Sequence, residues 1–475
     1  MRPTSSAFIA NAHKAIADAG LQKALARSKT NWQARRAAAL AGLPEFEALR
    51  DAGRSIKRHV MSNLDFYLEE YAGRVEQAGG QVHWCATADE AREAVLRICR
   101  QAEARTVTKG KSMVSEELGL NEYLEEHGIV PVETDLGEYI LQLRNEPPSH
   151  ITGPAFHLNR EDWEESFREH HTHLAADRVF AERKDIVAEA RGVLRDRFTI
   201  ADVGITGANF LIAETGSSVI VTNEGNGDLT QTLPKVHIVL ATIEKVVPTL
   251  EDCATFLRLL ARSATGQDIS VYTTFSTGPR RAPDLDGPSE YHVVLVDNGR
   301  SSMLGTDFQE MLHCIRCAAC MNHCPVYSVV GGHAYGWVYP GPLGAVLDPA
   351  LIGLDEAKHL PAASTFCGKC ESVCPMKIPL PKMMRHWRER AFERQLNPPV
   401  ERSMLRLWAF LAQRPALYRL GTRIAARMMA IFGGKNGKFS RLPLASGWTD
   451  ARDMPAPEGD TFFARYAREE RAGRI

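Results

Sequence analysis

Seven of the ten cysteines in this chain of 475 residues fall in two short runs. The first reads Cys314-Ile-Arg-Cys317-Ala-Ala-Cys320-Met-Asn-His-Cys324-Pro325. This is the C-x2-C-x2-C-x3-C-P spacing of iron-sulfur proteins, in which three thiolates hold one cluster and the fourth crosses to another. The second run, Cys367-Gly-Lys-Cys370-Glu-Ser-Val-Cys374-Pro375, repeats the pattern with Ser364 at its opening position. A tight loop can bring three soft thiolates to one small volume, its peptide N–H groups offsetting their charge. The proline after each last cysteine fixes φ and turns that thiolate away. Crossed pairing assigns one cluster to Cys314, Cys317, Cys320 and Cys374, and a second to Cys324, Cys367 and Cys370. The second cluster's fourth position stays open between a three-iron cluster, a serine or water oxygen, and a ligand from elsewhere. The chemistry is electron transfer. A structural zinc site would need only two C-x2-C pairs, a pattern that seven cysteines and two Cys-Pro endings exceed.

Cys85, Cys99 and Cys253 lie far from these runs in apolar or helical contexts, where a free cysteine is a small buried hydrophobe. Lys+Arg 57 against Asp+Glu 58 gives a formal charge of −1, so no global basic field recommends nucleic acid as a partner. The sequence shows no apolar signal-peptide core and no spanning apolar run, which implies a cytoplasmic protein whose thiols stay reduced. One local imbalance stands out. From Lys382 to Arg441 fourteen Lys/Arg face only Glu389, Glu393 and Glu401, which suits an acidic protein surface or anionic lipid.

Helical spacing dominates the first seventy residues. Strands are then expected at Gln81–Cys85, Arg105–Thr108, Ile129–Glu133, Ser218–Thr222, Val236–Ala241, Ile269–Thr273 and Tyr291–Val296. Helices are expected at Ala88–Ala102, Glu116–His127, Glu182–Phe198 and Leu250–Ser263. Short apolar strands alternating with helices predict a largely parallel sheet covered on both faces. Helix returns over Lys382–Gln395 and Ser403–Phe432, where Leu405, Trp408, Leu411, Tyr418, Leu420, Ile424 and Met428 alternate with arginines. Pro415 and Gly421 interrupt that face, which favours packing or subunit docking over lipid.

Two polar loops sit where such a sheet binds ligands, Thr108-Lys109-Gly110-Lys111-Ser112 and Thr222–Asp228. A small carboxylate or phosphorylated ligand would suit them, but neither completes a phosphate-binding fingerprint and both read first as turns. Glu214 invites comparison with a carboxylate nucleophile, although a loop glutamate is more often a cap. No catalytic residue is assigned. His333, Tyr335, Trp337 and Tyr339 lie between the cysteine runs and read as packing or cover for the clusters.

The stretches Thr108–Glu117, Glu133–Ile140 and Thr206–Gly216, joined to the cysteine runs and to His333–Gly344, resemble the lactate utilisation protein B family across nearly the whole chain. The resemblance implies an α/β LUD domain similar to sugar-phosphate isomerases and CoA-transferases, followed by a helical ferredoxin-like domain. It implies two [4Fe-4S] clusters on the cysteines named above, the three-cysteine second site included. It also implies an electron-carrying subunit in L-lactate oxidation to pyruvate, with a second cysteine-rich iron-sulfur subunit and a separate LUD protein as companions.

The expected organisation is a helical N-terminal region (1–72), the LUD domain (73–300), the iron-sulfur domain (301–395), and a basic helical region with a tail (396–475). Peripheral membrane contact is left open for the last region. The rival function is an enzyme that binds and oxidises a hydroxy acid in its LUD domain, with the clusters as acceptors.

Overall fold

The N-terminal residues form four helices, α1 (Phe8–Ala17), α2 (Ala19–Ala41), α3 (Phe46–Met61) and α4 (Leu64–Gln77). The structure, a computed structural model, describes residues 2–433, 437–442, 449 and 452–474, without the side chains of 27–30. Asp18 caps α2 by accepting from the Leu21 N–H, which satisfies an orphan donor of the first turn.

Strands and helices then alternate: β1 (Gln81–Cys85), α5 (Ala88–Gln101), β2 (Thr106–Lys109), α6 (Met113–Leu118), α7 (Leu120–Glu126), β3 (Val130–Glu133), α8 (Leu136–Arg144), α9 (Arg160–His170), α10 (Arg183–Ile200) and β4 (Val203–Gly207). After them come β5 (Phe210–Ile212), β6 (Ser217–Thr222), α11 (Asn226–Thr232), β7 (Val236–Thr242), β8 (Val246–Val247), α12 (Leu250–Ala264), β9 (Tyr272–Ser276) and β10 (Glu290–Val296). Six strands make one parallel sheet in the order β1-β10-β7-β4-β2-β3, with β7 buried at every residue. Apolar runs of this kind are what a sheet covered on both faces requires. The protein is thus α/β, as expected.

Three differences from the expectation have local causes. Ser217–Thr222 and Tyr272–Ser276 do not join the parallel sheet; they form a separate four-stranded sheet in the order β8-β5-β6-β9 with antiparallel pairs. The strand expected at Ile269–Thr273 begins at Tyr272, where it pairs with Thr222. The helix expected over Glu116–His127 is two helices, because Gly119 adopts a left-handed conformation (φ +63°) that ends α6.

After β10 the chain winds through short turns: α13 (Ala319–Asn322), α14 (Tyr327–Val330), α15 (Gly341–Leu351), α16 (Leu354–Ala357) and α17 (Lys369–Ser372), followed by α18 (Leu380–Glu393). Residues 1–391 form one compact unit, so N-terminal helices, sheet and cysteine loops share an interior. Residues 392–475 form a second unit with helices α19 (Pro399–Ala412), α20 (Pro415–Phe432) and α21 (Phe462–Arg471). The single helix expected over Ser403–Phe432 breaks before Pro415, whose ring cannot continue α19, whereas Gly421 lies inside α20 without interrupting it. Neither α19 nor α20 contains a buried residue. Among the described residues no helix is long and apolar enough to cross a membrane.

Candidate metal centre

Each cysteine run closes on itself through left-handed residues. Arg316 (φ +59°) and Ala318 (φ +60°) turn the first loop into α13, which carries Cys320, and Phe366 (φ +54°) and Gly368 (φ +75°) turn the second into α17, which carries Cys370. Such turns aim successive peptide N–H groups inward, where they meet sulfur. The Arg316 N–H donates to Cys314 Sγ at 3.4 Å and the Tyr327 N–H to Cys324 Sγ at 3.5 Å.

Cys314, Cys317, Cys320 and Cys374 line one cavity of about 370 Å³, its open mouth included, walled by Met311, Ile315, Leu343, Met376 and Ile378. Cys374 comes from the second run, so the fold brings it to the first three. Cys324, Cys367 and Cys370 lie outside that cavity and act on one another: burial and then the Cys324 thiol push Cys370 up to about 12. Burial followed by the thiols of Cys314, Cys317 and Cys374 holds Cys320 well above the usual range. Exposed Cys367 is lowered instead, chiefly by the Lys369 N–H. Thiols this close resist ionising together until a cation compensates them. Among the described residues no three His, Cys, Asp or Glu form a group for a single metal ion. Seven soft donors, four of them round one apolar cavity, suit iron-sulfur clusters.

The loops are held by residues that sequence reading left among generic helices. Arg36 on α2 donates to the Val373 carbonyl at 2.9 Å. Arg50 on α3 donates to the carbonyls of Cys374 (2.6 and 3.1 Å) and Ser372 (3.1 Å). A signal was available: Phe46, Arg50, Gly53, Lys57 and Val60 follow one helical stripe and all are buried, so two cations sit where apolar residues belong. His150 Nε2 donates to Asn322 Oδ1 at 3.0 Å, and its Nδ1 accepts the N–H groups of Thr152 and Gly153, both at 3.1 Å.

A buried ion network ties the first loop to the carboxyl edge of the sheet. Arg300, after β10, is fully buried between Glu117 (2.6 Å) and Glu244 (3.2 Å), and Glu244 also pairs with Arg316 at 3.1 Å. Tyr339 donates to Glu117 at 2.6 Å. Burial alone would raise Glu244, but Arg300 and Arg316 hold it at about 2.

The other candidates take the quieter reading. Lys109 is fully buried and paired with Glu116 (2.9 Å) and Glu133 (2.6 Å). Thr222 Oγ1 donates to the Glu224 carbonyl at 2.7 Å, a turn contact. Glu214 accepts from the Leu250 N–H at 3.1 Å and so caps α12. Cys85, Cys99 and Cys253 are buried, and burial pushes them up to about 11, 12 and 12. Tyr335, Trp337 and Tyr339 are buried, whereas His333 reaches the surface and bonds the Pro147 carbonyl at 2.7 Å.

Comparison with known proteins finds three family regions along the chain. Residues 68–296 match the LUD domain, 310–378 the 4Fe-4S dicluster domain, and 390–471 the C-terminal region of lactate utilisation protein B. "Lactate utilization protein B" of Oceanobacillus iheyensis is 45% identical over 426 residues, covering 90% of this chain and 88% of that protein. Its namesakes in Lysinibacillus sphaericus and Bacillus velezensis are 42% and 43% identical, covering 97% of both chains in each case. A crystal structure of a DUF162 family protein from Deinococcus radiodurans aligns over 49% of this chain and 98% of its own, at 15% identity and a TM-score of 0.26, too low to bear on the fold. With three family regions in order and relatives this similar over nearly its full length, the chain belongs to the lactate utilization protein B family.

Proposed function

We propose that the chain is an iron-sulfur electron-transfer subunit in the oxidation of L-lactate to pyruvate. One [4Fe-4S] cluster is assigned to Cys314, Cys317, Cys320 and Cys374, and a second to Cys324, Cys367 and Cys370. The observation that carries this reading is the single cavity lined by three cysteines of the first run and Cys374 of the second. The clusters supply one-electron acceptance and donation. The protein's own part is to orient the thiols, to present loop N–H groups to sulfur, and to enclose the first site in apolar walls of low dielectric, all of which tune potential. Exposed Cys367 offers the second site an edge toward solvent or a partner.

Lactate as the electron source rests on what the relatives are named; a cytoplasmic location and two companion subunits are proposed with it, on the sequence reading alone. Relay is preferred over hydroxy-acid oxidation in the LUD domain because much of the carboxyl edge of the sheet is filled: Arg300 and Tyr339 bind Glu117, and Arg300 and Arg316 pair with Glu244. Lys109 is likewise committed to carboxylates of the protein.

Anaerobic titration with L-lactate tests the proposal. The purified chain should keep its visible iron-sulfur absorption with lactate alone and bleach once the companions are added. Bleaching by lactate alone would make the chain itself the dehydrogenase, and no bleaching under either condition would remove the relay.

A further inference from the structure

The two cysteine loops are one backbone device used twice, fifty residues apart, and the correspondence passes through Ser364. Left-handed Arg316 and Ala318 recur as left-handed Phe366 and Gly368. The Asn322 N–H bonds the Ala318 carbonyl at 3.1 Å, and the Ser372 N–H bonds that of Gly368 at 3.1 Å. The Cys324 N–H reaches the Met321 carbonyl at 3.0 Å, and the Cys374 N–H that of Glu371 at 3.1 Å.

At the opening of each loop the N–H two residues on turns back to a side chain. Arg316 donates to Cys314 Sγ at 3.4 Å, and Phe366 donates to Ser364 Oγ at 3.2 Å. The serine oxygen thus receives the same backbone contact as the cysteine sulfur. Arg388 fixes this opening, stacking over the Phe366 ring at 4.2 Å and donating to the carbonyls of Pro361, Ala362 and Ser364.

We propose that Ser364 Oγ is the fourth ligand of the second cluster, in the place that Cys314 Sγ takes in the first. The inference rests on the cluster assignment above and completes it, since the repeat that pairs Cys314 with Cys317, Cys320 and Cys374 pairs Ser364 with Cys367, Cys370 and Cys324. With the cluster bound, Ser364 Oγ would coordinate the one iron that the three thiolates leave and release its proton to water, with no change of oxidation state. Oxygen is a harder donor than thiolate, so this iron is the weakest held and the first to leave on oxidation.

The experiment compares wild type, Ser364→Ala and Ser364→Cys, each isolated anaerobically as the full chain, by iron content and low-temperature EPR before and after mild oxidation. The first cluster's signal, developed by dithionite reduction of a parallel sample, serves as the internal control for folding. Ser364→Ala should gain the oxidised-state signal of a three-iron centre several-fold faster than wild type. Ser364→Cys should suppress that signal and shift the second cluster to lower potential. Identical three-iron formation in wild type and Ser364→Ala, or a Ser364→Cys protein that loses the fourth iron as fast as wild type, would overturn the ligand. Wild type with no iron-sulfur signal at all would instead overturn the assignment on which the inference rests.

Discussion

Arg50 grips the carbonyl of Cys374 with two guanidinium nitrogens, Nη2 at 2.6 Å and Nε at 3.1 Å. Cys374 is the residue that crosses from the second run into the cavity of the first, so α3 fixes the crossover from outside. A planar fork can do this where a lysine ammonium cannot. Arg50→Lys is therefore expected to lose about 1.5–3 kcal/mol, the usual worth of hydrogen bonds from a charged donor. Urea unfolding measures the loss and iron per chain measures retention. Unchanged iron content beside lowered stability would restrict Arg50 to a structural role.

Arg300→Met probes the network behind the first loop. The substitution leaves Glu117 and Glu244 buried with fewer countercharges, and breaking a buried pair on one side costs about 3–5 kcal/mol. A loss below about 1 kcal/mol, the range of exposed pairs, would show that water reaches these groups.

Much of this architecture was legible in the sequence. The strands of the parallel sheet announced themselves as apolar runs, and the cysteine spacing implied the crossed grouping that places Cys374 with the first three. The second sheet was not legible, because period-two patterning identifies a strand without naming its neighbour, and Ser217–Thr222 reads alike in either sheet. The roles of Arg36 and Arg50 were not legible for a related reason, even though the stripe on α3 marks Arg50 as a cation in an apolar position. Each serves a carbonyl more than three hundred residues away, and only the tertiary fold makes that acceptor.

Gly332→Ala tests how closely the cysteine region is packed on the LUD domain. A Cβ at Gly332 would lie 1.7 Å from the Ser149 carbonyl oxygen, a backbone atom that cannot rotate away. Tyr327 donates to the same carbonyl at 2.8 Å, so a forced separation also breaks that bond. Overpacking of this kind costs about 1–3 kcal/mol or more. The expected result is a lower melting temperature with poorer iron incorporation, and a variant with wild-type melting would mean that the two segments stand further apart.

Acid should unfold the chain in two stages. Burial holds His150 and His237 at about 3, well below their ordinary 6.5, so the folded state keeps them neutral where the unfolded chain takes up protons. Their contribution is complete above about pH 6.5 and is lost as pH falls from there toward 3. Glu244, held at about 2, adds stability that is present above its ordinary 4.5 and is lost as pH falls below it, so the decline steepens there. Glu138 and Asp348 act oppositely. Burial raises both well above the ordinary carboxylate range, so their contribution is full below that range and fades as pH rises. His237 Nε2 meets Thr206 Oγ1 at 2.8 Å, a contact that glutamine can keep without titrating. Urea unfolding from pH 7 to 5 should therefore show His237→Gln losing up to about 1.4 kcal/mol per pH unit less than wild type. Equal slopes for the two proteins would mean that His237 accepts its proton in the folded state.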